Sequence, residues 1–171
     1  MIDVLKDTLS KVNDWIKFAE AKNAANVAFC SASIWALLRM IGSGDNIVGA
    51  FLIYIYVCVA MLSIGLCLSF VSFIPKLSSP WISLPEKHEN DNLLFFGAAC
   101  KYSGESYLKK LYDGKIEKIE NYALERMYAE QIVINSKVAW IKFKQFDIAI
   151  AFTLSAILTP LFLFIFRLSK K

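Results

Sequence analysis

Residues Ile47 to Ile74 read IVGAFLIYIYVCVAMLSIGLCLSFVSFI, and this stretch decides the class of the protein. It contains no Asp, Glu, Lys, Arg, His or Pro. About 20 apolar residues in a helix cross the ~30 Å hydrocarbon core of a bilayer, so the run is long enough to span one with some tilt. A chain of 171 residues is too small to bury such a helix inside a soluble core. The stretch therefore predicts an integral membrane protein.

The composition agrees with this class. The chain is 57% hydrophobic, yet 20% of its residues are charged, so the apolar residues are concentrated in particular segments. The formal net charge of +4 is too small and too widely spread to indicate a nucleic-acid partner. Instead it suits a protein that holds its basic side against membrane lipid. The four cysteines form no CxxC pair and His88 stands alone, so we expect no metal site and no cofactor.

Residues 1–22 are predicted to form an amphipathic cytoplasmic helix. Apolar residues recur at steps of three and four from Ile2 to Ala19, with charged residues between them. Charge runs through the segment, so it is not a signal peptide. It continues without a breaker into a first span at 24–41. The turn at 42–46 then joins this span to the second, at 47–74, so that 23–74 forms a transmembrane hairpin.

The region 75–145 is predicted to be a cytoplasmic helical insert. Three prolines up to Pro85 make its first part an irregular connector. Ser103 is placed to be the N-cap of a helix that runs to about Tyr112, where Asp113-Gly114 ends it.

One long helix is predicted to begin within the insert. From Lys115 onward the chain has neither Gly nor Pro until Pro160, and its apolar residues keep close to a helical period. We expect this helix to begin in the cytoplasm and to continue into a third span at 146–167. The predicted fold class is an all-α integral membrane protein.

The distribution of lysine and arginine predicts the orientation. The region 75–145 holds eleven of them and the N-terminal helix four, while the turn at 42–46 holds none. Cytoplasmic loops carry the excess of basic residues, so the N-terminus and 75–145 belong in the cytoplasm. Three spans then put the C-terminus in the periplasm of a bacterial inner membrane.

No catalytic motif appears in the sequence. It lacks GxSxG, a Walker loop, HExxH and a Cys–His pair, so the prediction is a protein that is not an enzyme. His88 stands near Glu86, Glu89 and Asp91 in the proline-rich connector, and we interpret this group as a solvated loop.

Aromatic and basic residues are interleaved in two places, between Phe95 and Lys110 and between Asn135 and Lys144. A planar anionic ligand needs such ingredients: a cation for phosphate, a ring for stacking and an amide for base edges. By composition alone, however, the first interpretation is a packed core beside a basic juxtamembrane belt.

Two of these stretches resemble the transmembrane Pycsar effectors, the membrane proteins of pyrimidine-cyclase antiphage systems. They are NLLFFGAACKYSGESYLKKL (Asn92–Leu111) and QIVINSKVAWIKF (Gln131–Phe143). A partial match lies at Glu20–Ala24, where Glu replaces the Asp of an Asp-x-Lys-Ala-like stretch in that family. Together with the layout of spans and insert, the similarity covers most of the chain.

The resemblance implies a mechanism. A partner nucleotide cyclase makes a 3′,5′-cyclic pyrimidine nucleotide, cyclic UMP or cyclic CMP, when phage infect the cell. The effector binds this nucleotide in the cytoplasm, oligomerises or rearranges its spans, and makes the inner membrane leak, which causes abortive infection. Small residues on the first span from Ala24 to Ala32 are suited to close packing within a homo-oligomer.

Site residues are implied by the same resemblance. We expect Lys101, Lys137 and Arg126 to bind the phosphate, Phe96, Tyr102 or Tyr107 to stack on the base, and Asn92 or Asn135 to read its edge. The other interpretations stay open: Asn92 as a cap, Phe96 as core, and Lys137 as a lysine reaching to the lipid surface. The alternative function is an ungated small membrane protein, either a holin-like pore or a membrane anchor for a soluble partner.

Overall fold

The computed structural model describes residues 2–43, 49–74, 77–114 and 121–169, with 160–169 described by their backbone alone. Within these ranges the chain forms five helices: α1 (Ile2–Gly42), α2 (Ala50–Ser72), α3 (Phe96–Ala99), α4 (Gly104–Leu111) and α5 (Tyr122–Ser169). The predicted all-α fold class is confirmed. Two helical stretches, Ile2–Gly42 and Phe51–Ser72, are long and apolar enough to cross a membrane.

Helix α1 runs for 41 residues without interruption. The predicted continuation of the amphipathic segment into the first apolar stretch is therefore confirmed. Leu5, Val12 and Ala19, which are spaced by seven, are buried. The charged residues between them stay exposed and form short-range ion pairs such as Lys11–Asp7 at 2.7 Å. Such exposed pairs on one helix stabilise it by only about 0.2–0.5 kcal/mol each.

Helix α2 begins later than the apolar run that predicted it. Its N-cap is Gly49, whose φ of 72° lies in the left-handed region that glycine adopts at little cost. Ile47 and most of the predicted turn at 42–46 lie outside the described residues. The helix ends at Ser72, just before the proline-rich connector.

Helix α4 has the boundaries that its local sequence predicts. Ser103 is the N-cap, and its hydroxyl accepts a hydrogen bond from the N–H of Ser106 at 3.3 Å. Beyond Leu111 the chain turns through Asp113 and Gly114, whose φ angles are 51° and 78°. Left-handed residues of this kind commonly end helices.

Helix α5 begins at Tyr122, seven residues after the predicted start at Lys115. Asn121 lies in a turn, and its side-chain oxygen accepts a hydrogen bond from the N–H of Leu124 at 3.3 Å, which caps the helix there. The segment 115–120 lies outside the described residues. The helix then continues through Pro160 to Ser169 for 48 residues, or about 72 Å.

The helices divide into two compact units. Unit 1 comprises residues 1–20 and 75–144, and unit 2 comprises 21–74 and 145–171. The core of unit 1 is built by the start of α1, by the segment from Leu93 to Leu108, and by the first half of α5. Its largest fully buried side chain is Tyr107.

Unit 2 combines the end of α1, all of α2 and the end of α5. Its small core includes Cys30, Leu62 and Ala156, one from each helix. Bulky apolar side chains such as Phe29, Ile53 and Phe70 are exposed on its outer surface. Water disfavours such a surface, whereas lipid tails accommodate it.

Candidate functional site

A densely hydrogen-bonded polar group of unit 1 surrounds the carboxylate of Asp91. The ammonium of Lys101 lies 2.6 Å from one carboxylate oxygen. The hydroxyl of Tyr102 donates to the other oxygen at 2.8 Å, and the backbone N–H of His88 donates to the same oxygen at 3.0 Å. The side chains of Lys101 and Asp91 are 9% and 6% exposed. We call this arrangement, with Lys110, the Asp91 site.

Lys110 completes the Asp91 site from α4. Its ammonium donates to the hydroxyl of Tyr102 and to the carbonyl of His88, both at 2.9 Å. Lys110 and Lys87 also place their ammonium groups 5.2 and 5.3 Å from the centre of the Tyr102 ring, within the range of cation–π attraction. Three lysine ammonium groups thus converge on one tyrosine and one carboxylate.

The charges of the site shift the acidity of its members. The hydrogen bond from Lys101, followed by that from the His88 N–H, holds the pKa of Asp91 well below its usual range. Burial raises the pKa of the neighbouring Cys100 thiol to about 11, although the charges of Lys101 and Lys137 oppose that rise. The site is therefore an ionised carboxylate that lysines neutralise, beside a neutral thiol.

The helices position the site through local geometry. Short helix α3 ends at Ala99, so that Cys100, Lys101 and Tyr102 come directly before the Ser103 cap of α4. Asn92 accepts a hydrogen bond from the N–H of Leu94 at 3.1 Å, which forms a turn immediately after Asp91. The connector and α4 are thereby brought to the same place.

Three of the predicted residues lie within or beside this site. Lys101 and Tyr102 both contact the Asp91 carboxylate. Lys137 on α5 is half-buried, and its positive charge acts to lower the pKa of the Cys100 thiol. Binding of a ligand by Lys101, Tyr102 and Lys137 stays a prediction.

Phe96 and Tyr107 belong to the core of unit 1. The ring of Phe96 packs against those of Trp15, Phe95 and Phe143, with centroids 4.6 to 5.6 Å apart. Tyr107 is fully buried, and its hydroxyl donates to the carbonyl of Leu93 at 2.9 Å. Burial raises the pKa of Tyr107 to about 12. Their suggested stacking on a base is untested.

Arg126 and Asn135 have partners elsewhere in unit 1. Arg126 is exposed and pairs with Glu130 one turn further along α5, at 3.0 Å. Asn135 donates to the side-chain oxygen of Asn13 at 2.8 Å, and so joins α5 to α1. Both residues therefore have structural roles in addition to the binding roles predicted for them.

Sequence reasoning missed Asp91, Lys87 and Lys110 as site members. The interpretation of the acidic connector residues as a solvated loop is wrong for Asp91, because its carboxylate is nearly buried. The sequence does offer one signal for this pair: Asp91 and Lys101 stand at the two ends of an apolar segment, where their opposite charges could meet. Across the ranges that the structure describes, no group of three or more His, Cys, Asp or Glu residues is arranged to hold a metal ion.

The fold and the site define a small all-helical protein that has apolar helices of membrane-spanning length and, in unit 1, a site where lysines surround one carboxylate. A family model described as the Pycsar effector protein domain (PycTM) matches residues 4–169. The chain therefore belongs to the Pycsar effector family, whose members are non-enzymatic effectors of antiphage defence. The predicted resemblance is confirmed.

A bacterial relative supports this assignment. The chain is 29% identical over 167 residues to the Pycsar effector protein RsPycTM of a Rhizobium species, with 92% of this chain and 93% of that protein covered. No solved structure matches the chain. The family and the two apolar helices both point to a membrane location, and the Pycsar system implies cyclic nucleotide signalling with a cyclase partner.

Proposed function

We propose that the protein binds a 3′,5′-cyclic pyrimidine nucleotide, cyclic UMP or cyclic CMP, in the cytoplasm and then permeabilises the bacterial inner membrane, causing abortive infection. The observation that carries this proposal is the Asp91 site. Lysine and tyrosine donors already converge there on an anionic group, and a cyclic phosphate needs the same kinds of donor.

The phosphate of the ligand binds, in this proposal, at Lys101 and Tyr102, with Lys137 contributing charge from α5. These groups come from two separate parts of unit 1, so a ligand that bridges them draws the 92–111 segment and α5 together. A base stacked on Phe96 or Tyr107 requires the 92–111 segment to move, because both rings are buried. Binding is then coupled to a rearrangement of unit 1.

The membrane arrangement of the proposal has three spans, at 24–41, 47–74 and 146–167. The N-terminus and the region 75–145 face the cytoplasm, and the C-terminus faces the periplasm. Helix α5 supports the third span because it continues unbroken from residues of unit 1 to Ser169. A continuous helix transmits a shift more directly than a flexible joint, and a homo-oligomer forms from the rearranged spans. The ligand drives this change only as far as its affinity differs between the two arrangements.

Dye leakage from liposomes that contain the purified protein tests the proposal. Cyclic UMP, cyclic CMP, cyclic AMP and buffer are added in parallel. Leakage with a pyrimidine nucleotide alone is the expected result, and it also identifies the base. Leakage in buffer would contradict ligand gating and favour an ungated pore. If no sample leaks although the protein is folded and inserted, the result would favour a membrane anchor.

A further inference from the structure

A cluster of buried polar side chains lies in the interior of unit 2 and extends along α1 for seven residues, or about 10 Å. It consists of Asn23, Asn26 and Cys30 on α1, Ser69 and Ser72 on α2, and Thr153 on α5, and we call it the polar seam. Each of its residues is between 0% and 4% exposed. The three members on α1 are spaced by three and four residues and therefore lie on one face of that helix. The three helices of unit 2 thus turn polar groups towards one another.

Hydrogen bonds connect the seam across all three helices. The amide of Asn26 donates to the hydroxyl of Ser69 at 2.9 Å, which links α1 to α2. The thiol of Cys30 and the hydroxyl of Thr153 are 3.3 Å apart, which links α1 to α5. Cys30 and Asn26 also contact each other, at 3.9 Å from sulfur to oxygen. The polar path from α2 to α5 is therefore continuous.

The outer surface of unit 2 has the opposite character. Phe29 on α1 and Ile64 and Phe70 on α2 are exposed, so the unit is apolar outside, while the polar seam lies inside beside its apolar core. Polar groups within a membrane-spanning segment are costly to keep in lipid and commonly mark paths for water or ions. Hydrogen bonds between such helices contribute only about 0.6 kcal/mol each on average, so the chain of bonds holds the helices together weakly.

The helices beside the seam are packed unevenly: α1 and α5 leave a groove between them, whereas α2 and α5 are in close contact. An apolar groove of about 330 Å³, open to the outer surface, lies between α1 and α5, and Asn26 and Thr153 are among its lining residues. On the other side, α2 approaches α5 closely at Gly65, where an added Cβ would lie 2.9 Å from the hydroxyl oxygen of Thr153. Close packing of Gly65 on Thr153 thus closes the seam between α2 and α5, whereas an apolar groove lies beside it between α1 and α5.

We propose that the polar seam lines one section of the leak: on activation the three helices separate, and water and small ions pass the side chains of the seam as they cross the membrane. This inference rests on the proposed function and deepens it, since it replaces general disruption of the bilayer by a defined aqueous path. All seam members are electrically neutral, and charge selectivity in pores comes from rings of charged or strongly dipolar groups. The path therefore passes small cations and anions with little preference.

The native cysteines test the seam without any substitution. Wild-type protein in liposomes is treated with a membrane-impermeant, positively charged methanethiosulfonate reagent, with and without the nucleotide that causes leakage. The modification of each cysteine is then measured by mass spectrometry of its peptide. Cys30 is the reporter because it is buried in the seam. Cys67 is the matched control, since it is exposed on the outer face of α2 and would face lipid.

The expected result is that nucleotide accelerates modification of Cys30 by on the order of ten-fold or more, because the reagent needs a thiolate in contact with water. Cys67 should stay unmodified with and without nucleotide. If nucleotide causes leakage but Cys30 stays as unreactive as Cys67, the seam does not line the leak. The proposed function would not be affected by that result. If no nucleotide causes leakage, the proposed function and the seam both fail.

A substitution separates a lining role from a structural one. Thr153→Val removes the hydroxyl and keeps the shape, so it should slow nucleotide-induced leakage several-fold without changing nucleotide affinity. Thr159→Val is the matched control, because Thr159 is on the same helix but exposed, with its hydroxyl donating to Ser155 at 2.6 Å. If the seam only holds the closed bundle together, Thr153→Val should instead loosen it and raise leakage in buffer, which would contradict the inference.

Discussion

Gly104 lies so close to Glu130 that a Cβ atom added to the glycine would be 2.4 Å from the Cγ of Glu130 and 2.9 Å from its Cα. The first residue of α4 therefore packs directly on the backbone of α5. A clash with the end of a side chain is relieved by rotation, but one with backbone atoms is not. This approach fixes α4, which carries Tyr107 and Lys110, against α5.

Gly104→Ala should therefore destabilise unit 1. Overpacking of this kind costs about 1–3 kcal/mol, so we expect a clear fall in the thermal midpoint followed by circular dichroism in detergent. Gly42→Ala is the control, because nothing lies within 4 Å of its added Cβ. An unchanged midpoint for Gly104→Ala would show that the two helices are not held this closely.

The Asp91 site predicts a defined dependence of stability on pH. The pKa of Asp91 lies below its ordinary value of 3.8 in the folded protein. The ionised carboxylate therefore contributes its full stability above that value, and the contribution is lost as the pH falls through the folded pKa. Asp91→Asn should lower the thermal midpoint at pH 6, and the difference from wild type should begin to shrink below about pH 4 and disappear only as the pH falls through the folded pKa of Asp91. A midpoint difference that persists unchanged into acid would contradict the ion pair.

Nucleotide affinity should depend on two lysines. Lys101→Ala and Lys137→Ala each remove a cation from the proposed phosphate site, and a charge-assisted hydrogen bond contributes about 1.5–3 kcal/mol, which is at least a ten-fold loss of affinity. Lys109→Ala is the control, since Lys109 is exposed on α4 beside Lys110. Isothermal titration calorimetry with cyclic UMP and cyclic CMP measures the effect. Wild-type affinity in both variants would rule out the assignment.

The continuity of α5 can be interrupted directly. Insertion of Gly-Gly after Phe143 places two flexible residues near the boundary between the ranges of the two units. Glycine lowers the stability of a helix interior by about 1 kcal/mol per residue relative to alanine. We expect nucleotide binding to persist while leakage is lost. An Ala-Ala insertion keeps the helix but rotates the residues beyond it, so it controls for added length. Leakage unchanged by Gly-Gly would exclude transmission through a rigid α5.

Trp140 anchors the connector to α5. Its indole N–H donates to the carbonyl of Ser83 at 3.1 Å. Trp140→Phe removes this bond, which is worth about 0.5–1.5 kcal/mol, and should make the connector open more often. Trypsin cleavage after Lys87 reports that opening and should become several-fold faster. Trp81→Phe, at a position 87% exposed, is the matched control. Equal cleavage rates in the two variants would mean that the bond does not restrain the connector.

Local features of the sequence were enough to predict most of the helices. Ser103 and Asp113-Gly114 signal the two ends of α4 by their own chemistry, and α2 is predicted by the absence of charge between Ile47 and Ile74. Helix α5 begins at Tyr122 because Asn121 caps it, and no breaker residue in the sequence marks that position. Propensity alone does not distinguish a mid-helix asparagine from a cap.

The site was only partly predictable for a different reason. Lys101 and Tyr102 were identified from their residue types, but their shared partner Asp91 stands in an irregular connector without any periodic pattern. Phe96 is a core residue because Trp15 and Phe143 pack on it, and both are distant in sequence. Pairings of this kind depend on the tertiary fold, which composition and spacing do not specify.

The assembly of unit 1 has a consequence for the order of synthesis. Its core joins Leu5 and Val12, near the start of the chain, to Ile132 and Val133, more than a hundred residues later. The ribosome therefore completes the first two helices of unit 2 before the last part of this core exists. A nascent or prematurely terminated chain carries the apolar α2 but has no finished core behind the Asp91 site. The core of unit 1 therefore closes only after the first half of α5 has been synthesised, when α2 has long been complete.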